Sequence, residues 1–172
     1  MPSRLEISPR DHRIGSGTRT LIEYGDFECD DCAAALPILQ RVQRVTGDEA
    51  CFVFRHFPLP SHAHAMAAAE AAEAAAAQGR FWEMHGLLYD RQLALERPDL
   101  LRYARELDLD LARFEREIDG HVHLARIRED IESAKSLGVR GTPALFVNGA
   151  SYRGPITVPL LLEALRSADP SA

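Results

Sequence analysis

Residues 20 to 32 read Thr-Leu-Ile-Glu-Tyr-Gly-Asp-Phe-Glu-Cys-Asp-Asp-Cys, and no other stretch constrains the fold as strongly. Leu21 to Tyr24 is a short apolar run that reads as a buried strand, and Gly25 and Asp26 break it. Cys29 and Cys32 follow, and Ala33-Ala34-Ala35-Leu36 continues as helix. Two thiols therefore fall where a strand gives way to a helix, the first near the helix N-terminus. That end carries unpaired N–H groups and partial positive charge, which favours a thiolate. A spacing of three also brings the two sulfurs close enough to bridge. A thiol pair so placed is suited to accepting and donating disulfides.

At 172 residues, 46% of them hydrophobic, the chain has the length of one domain, or one domain with a sizeable insertion. A net charge of −6 argues against a nucleic-acid-binding surface. No apolar run approaches the roughly 18 residues of a membrane span. The first twenty residues, rich in Arg, Asp and Pro, contain no apolar stretch of the secretory kind, so a cytoplasmic setting is expected. Three cysteines are too few for a disulfide framework. In a reducing compartment a close pair is more often catalytic or metal-binding than structural.

Residues 1–18 read as an irregular lead-in. A strand is expected over 19–24 and a helix over 29–46, with Pro37 inside it as a kink or break. Cys51 to Phe57 has strand composition, stopped by Pro58 and Pro60. Ser61 is expected to cap a long Ala-rich helix running to Gln78. Further helices are expected over 80–92, 99–107 behind Pro98, 111–118 capped by Asp110, and 121–137 ending at Gly138. Strand character returns at Ala144 to Val147, Asn148-Gly149 signals a hairpin, and Ser151 to Arg153 pairs back. Thr157 opens a last helix to Ser167. The order is β-α-β, a helical block, then β-β-α.

The second half of the site is Gly-Val-Arg-Gly-Thr-Pro at 138–143. A proline at the start of a strand removes a ladder donor, and either a cis Thr142–Pro143 bond in a tight turn or a trans proline at a loop boundary accommodates it. The combination of Glu23 to Cys29, Arg55-His56-Phe57-Pro58-Leu59, Ala68 to Leu88 with Gly79-Arg80-Phe81-Trp82, and Gly138 to Gly149 resembles the thioredoxin superfamily. More narrowly it resembles the DsbA-like thiol–disulfide oxidoreductases, and the soluble thioredoxin-type domains fused to bacterial sodium/proton antiporters. The likeness covers roughly residues 12–167. It implies an α/β, thioredoxin-like fold over 14–60 and 138–168, an all-helical insertion over 61–137, and irregular tails at 1–13 and 169–172. It implies that Cys29 is the exposed nucleophile and Cys32 the resolving thiol. Pro143 would be a cis-proline packed against the pair, with the Thr142 backbone offering hydrogen bonds to a bound peptide. No metal or nucleotide is called for, because the redox-active Cys29–Cys32 disulfide serves as the cofactor. The implied partners are protein or small-molecule thiols and disulfides and a recycling thiol system. The oligomeric state leaves no mark in the sequence.

The dipeptide between the cysteines, Asp30-Asp31, departs from that family, which more often has a proline or a histidine there. At about 6–8 Å and an effective dielectric between ~20 and ~80, one carboxylate costs a thiolate roughly 0.5–2.5 kcal/mol. Asp26 and Glu28 add the same sign, so all four are expected to tune Cys29 away from its thiolate. The helix N-terminus offsets about 0.3–1 kcal/mol. A disulfide harder to reduce than those of strong oxidants follows. The bland reading is that these carboxylates only suit the helix dipole. Glu23, on the first strand, is either a proton acceptor for Cys32 or a surface-facing residue. Cys51 reads as an inert buried thiol; His56, ending its strand near Pro58, as a solvent-facing residue or else part of the site lining; and Phe81, Trp82 and Met84 as core of the helical block or in part the lining of a substrate groove. Two other classes of function stay open at this point: a metal-binding module using Cys29 and Cys32, and a scaffold domain whose cysteines are vestigial.

Overall fold

The computed structural model describes residues 5–167. Residues 1–4 and the expected C-terminal tail at 169–172 lie outside them. Five strands form one sheet: β1 (His12–Ile14), β2 (Arg19–Gly25), β3 (Ala50–His56), β4 (Ala144–Val147) and β5 (Ala150–Tyr152), in the order β1-β3-β2-β4-β5. β2 lies at the centre. It runs parallel to β3, with Leu21 opposite Phe52, and antiparallel to β4, with Glu23 opposite Leu145. The parallel pair requires a crossover, and α1 (Asp30–Thr46) supplies it.

Being central, β2 is buried from Leu21 to Gly25 on both faces, which explains its lack of polar alternation. Leu21 and its neighbours Phe52, Leu145 and Val147 pack under α1 and α7 (Val158–Ser167) through Leu39, Val42, Leu161 and Leu165. Ile22 and Tyr24 point the other way, into a cluster with Val53, Phe146 and Ala134 of α6 (Leu124–Ser136). Between β3 and β4 the chain is helical: α2 (Ala65–Ala76), α3 (Phe81–Asp90), α4 (Arg97–Glu106), α5 (Leu111–Asp119) and α6. The alanines of α2 are buried on nearly every side, because small side chains let neighbouring helices approach closely. A third cluster joins α2 to α5 with Phe27, Phe54 and both site cysteines, so the helical block shares its core with the mouth of the sheet.

Several expectations change. Residues 12–14 of the supposed lead-in form β1, paired antiparallel with Phe52 to Phe54; three residues are too few to leave a periodic signal. Ser61 does not cap the Ala-rich helix, which begins only at Ala65. The preceding loop is drawn instead to two acids of the loop before Cys29: Leu59 N–H and His62 Nδ1 bond Asp26, and His64 N–H bonds Glu28. α6 starts at Leu124 rather than 121, because His121 takes a left-handed φ of 51° and turns Nδ1 to Glu70 at 2.8 Å. His56 ends β3 as expected, but it does not face solvent: it is 1% exposed. The Asp110 cap is present, accepting from Arg113 N–H at 2.9 Å.

Gly25 is required by close approach. A Cβ there would lie 2.5 Å from Phe54 Cε2 and 2.8 Å from the Tyr89 hydroxyl, inside a packed aromatic cluster. Gly25→Ala is expected to destabilise the fold by about 1–3 kcal/mol through overpacking, read as a lower denaturant midpoint with an unchanged m-value.

Candidate active site

Cys29 is the N-cap of α1, in extended conformation, and Cys32 stands one turn inside. Both thiols are free. The Cys29 sulfur accepts the Cys32 backbone N–H at 3.4 Å, which is the role of a capping side-chain oxygen played by sulfur. The same sulfur lies 3.4 Å from the Thr142 carbonyl oxygen, to which its S–H donates. The Thr142–Pro143 peptide is cis. The turn before β4 and the start of α1, 113 residues apart, therefore meet at one sulfur. Cys29, expected to be exposed, keeps 7% of its surface, and Cys32 keeps none. Burial, then the charge of Glu23, pushes the Cys32 thiol far up.

The four carboxylates expected to act on Cys29 divide into two pairs. Asp30 and Asp31 are exposed in the first turn of α1, where they suit the dipole. Asp26 is buried and already engaged: its carboxylate accepts from Glu28 N–H, Leu59 N–H and His62 Nδ1 at 2.7 to 2.8 Å. Its carbonyl accepts the Cys29 N–H at 3.1 Å. Glu28 accepts the backbone N–H and Nδ1 of His64. Burial raises its pKa, but the His64 bonds outweigh that and hold it below the usual carboxylate range. His64 is raised in turn, first by that hydrogen bond.

Glu23 sits in the middle of β2, buried rather than surface-facing, and burial pushes its pKa up to about 8. It lines a cavity of about 140 Å³ beneath α1, with Leu36 and Leu39 on one side and Trp82 and His85 on the other. The Tyr89 hydroxyl, beside Gly25, has no hydrogen-bond partner among the described residues, and neither has the buried Thr142 Oγ1. Two further contributors escaped the sequence reading. Gln92, after α3, donates from Nε2 to the Phe27 and Cys29 carbonyls at 2.8 and 2.9 Å, clamping the cysteine loop. An open groove of about 270 Å³ runs beside that loop, with Leu93 fully exposed at its edge. Glutamine in a turn carries no signal that would have marked it. Among the described residues, neither site cysteine belongs to a group of three or more His, Cys, Asp or Glu placed to hold a metal.

A thioredoxin-type sheet, a Cys-x-x-Cys pair at a helix N-terminus and a cis-proline facing it define the class of protein. The chain belongs to the thioredoxin family, whose sequence profile, described as Thioredoxin, matches residues 8–166. Its fold is that of the DsbA-like oxidoreductases. A crystal structure of a thioredoxin-like oxidoreductase from Silicibacter pomeroyi superposes with a TM-score of 0.82 at 28% identity, covering 92% of this chain and 91% of that one. BdbD from Bacillus subtilis, in its oxidised form, superposes at 0.80 with 17% identity over 90% and 92%, a likeness of fold. In sequence the chain is 45% identical over 166 residues to the Na(+)/H(+) antiporter NhaA 3 of Salinispora tropica, covering 95% of this chain and 25% of that protein. It is 41% identical over 163 residues to the Na(+)/H(+) antiporter NhaA 1 of Mycolicibacterium vanbaalenii, covering 92% and 26%. The chain thus spans about a quarter of the length of these relatives. No described helix is long and apolar enough to cross a membrane.

The raised Glu23 carboxyl makes stability pH-dependent. Below pH 4.5 both folded and unfolded chains hold its proton. Between about 4.5 and 8 the unfolded chain releases it and the folded chain does not, so stability falls as pH rises through that window. Glu23→Gln removes this loss. Its unfolding free energy relative to the wild type is expected to climb by ~3–5 kcal/mol across the window and to be flat outside it, in urea unfolding at a series of pH values.

Proposed function

We propose that the chain is a thiol–disulfide oxidoreductase working through Cys29 and Cys32. The observation that carries this is the position of the Cys29 sulfur, between the Cys32 N–H at the start of α1 and the Thr142 carbonyl before cis-Pro143. A thiolate there is stabilised by the N–H and the helix end. Cys29 attacks one sulfur of a substrate disulfide, forming a mixed disulfide and releasing the other sulfur as thiolate. Cys32 then gives up its proton and attacks the Cys29 sulfur. The Cys29–Cys32 bond forms, the second substrate thiolate leaves, and two electrons have passed to the substrate. The reverse sequence oxidises a dithiol.

The buried Cys32 thiol holds its proton tightly, so the second attack needs an acceptor. Glu23 is that acceptor in its ionised form, a fraction that grows as pH approaches its pKa of about 8. The Thr142 backbone and Pro143 position the substrate chain against Cys29. Asp30 and Asp31 stay exposed in the first turn of α1, and Asp26 and Glu28 act mainly by holding the loop. With two acids rather than a histidine between the cysteines, the pair is not strongly oxidising and is suited to a reducing, cytoplasmic setting. Its partners are protein or small-molecule thiols and disulfides, with another thiol system to recharge it, and the exchange itself needs no cofactor beyond the pair.

Trapping tests this directly. Cys32→Ser incubated with oxidised glutathione is expected to gain the mass of one glutathione on Cys29, stable because nothing displaces it. Cys29→Ser is expected to gain none and to fall to the uncatalysed background in a disulfide-reduction assay. A Cys32→Ser protein that forms no adduct at Cys29 under these conditions would sink the proposal.

A further inference from the structure

His12, His56 and Glu73 belong to three separate elements, β1, β3 and α2, and the fold brings them to one point. Both imidazole Nε2 atoms bond the same carboxylate oxygen, Glu73 Oε1, at 2.7 Å from His12 and 2.8 Å from His56. All three ligand atoms lie within 4.8 Å of one another. His56 and Glu73 are buried, while the His12 side chain keeps 15% of its surface. The walls are aromatic. The Phe81 ring stacks on His12 at 3.5 Å, and the Phe54 ring meets His56 edge-on at 5.3 Å. The His56 backbone is held by Asp130, which accepts its N–H at 3.0 Å. Arg126 is the cation close enough to feel Glu73, and its charge is engaged by Asp130 and, at 3.8 Å, by Asp11.

We propose that His12, His56 and Glu73 form a binding site for a divalent transition-metal ion, of which Zn²⁺ fits best. Two imidazoles and one carboxylate make a three-ligand zinc set, and the fourth position falls to water on the partly open His12 side. Zinc sits about 2.0–2.2 Å from such ligands, so at a tetrahedral angle Nε2 and Oε1 spread by roughly 0.5–0.7 Å from their hydrogen-bonded spacing of 2.7 and 2.8 Å. Each imidazole turns a lone pair to the ion at Nε2 and carries its ring proton at Nδ1. The ion replaces two N–H···O bonds by metal bonds and ties the first strand and the helical block to the end of β3. Cys29 and Cys32 take no part, so the site stands apart from the redox reading.

The Cys29→Ser/Cys32→Ser chain, stripped with chelator and desalted, tests this without interference from those thiols. Titration calorimetry is expected to show one Zn²⁺ per chain. Co²⁺ in its place should give visible ligand-field bands without the thiolate-to-cobalt band of a cysteine site. Glu73→Gln and His12→Asn should each weaken Zn²⁺ binding by at least the roughly 10–100-fold that loss of a mere outer partner costs. His12 is the least buried ligand, on a short edge strand, so His12→Asn decides the matter if Glu73→Gln does not fold. No stoichiometric binding, a thiolate band, or affinity unchanged by His12→Asn would overturn the proposal.

Discussion

The carboxylate of Asp26 governs the geometry of the cysteine loop. It is buried, and a buried carboxylate is tolerable only with hydrogen bonds to its oxygens. Those bonds come from Glu28 N–H on its own loop and from Leu59 N–H and His62 Nδ1 on the loop after β3. The backbone of the same residue takes the Cys29 N–H. One acid thus fixes the entry to α1 and fastens it to the segment that leads into the helical block. Glu28 repeats the device with His64, and Gln92 closes the loop from a third side. The Cys29 sulfur is left between the Thr142 carbonyl and the Cys32 N–H.

The same logic runs through the helical block. α2 is so rich in alanine that it packs on nearly all sides, and its two buried glutamates are tolerable only because histidines from outside the helix reach them. Glu70 is met by His121 and Glu73 by His12 and His56. Burial alone would raise the pKa of Glu73, but the two imidazole bonds outweigh it and hold the carboxyl ionised. Glu23 is the contrast: no hydrogen bond lowers it, and its carboxyl stays high. Among the described residues, buried acids with hydrogen-bond partners hold the frame, and Glu23, raised by burial, lies beneath α1.

What was legible in the sequence was local. The strand, the glycine break and the Cys-x-x-Cys helix start are contiguous and follow from chain chemistry alone, as do the Asn148-Gly149 turn and the Asp110 cap. What was not legible depends on partners far along the chain. Asp26 and Glu28 read as charges acting on Cys29, because nothing in the sequence says that His62 and His64, 36 residues on, will reach them. Ser61 looked like a cap for the same reason: the competing anchors of its loop were elsewhere. His56 read as a solvent-facing residue because Pro58 follows so closely, yet its pairing with Gly25 and its bond to Glu73 bury it. β1 is too short for any pattern, and its place at the sheet edge is set by β3.

The central claim is that Cys29 and Cys32 form a redox couple that is not strongly oxidising. Equilibration of the pair in glutathione and dithiothreitol buffers measures this directly. The account predicts a single two-electron couple at or below about −230 mV. A pair that forms no disulfide would remove the claim, and a potential near about −120 mV would contradict it, placing the chain among strong oxidants.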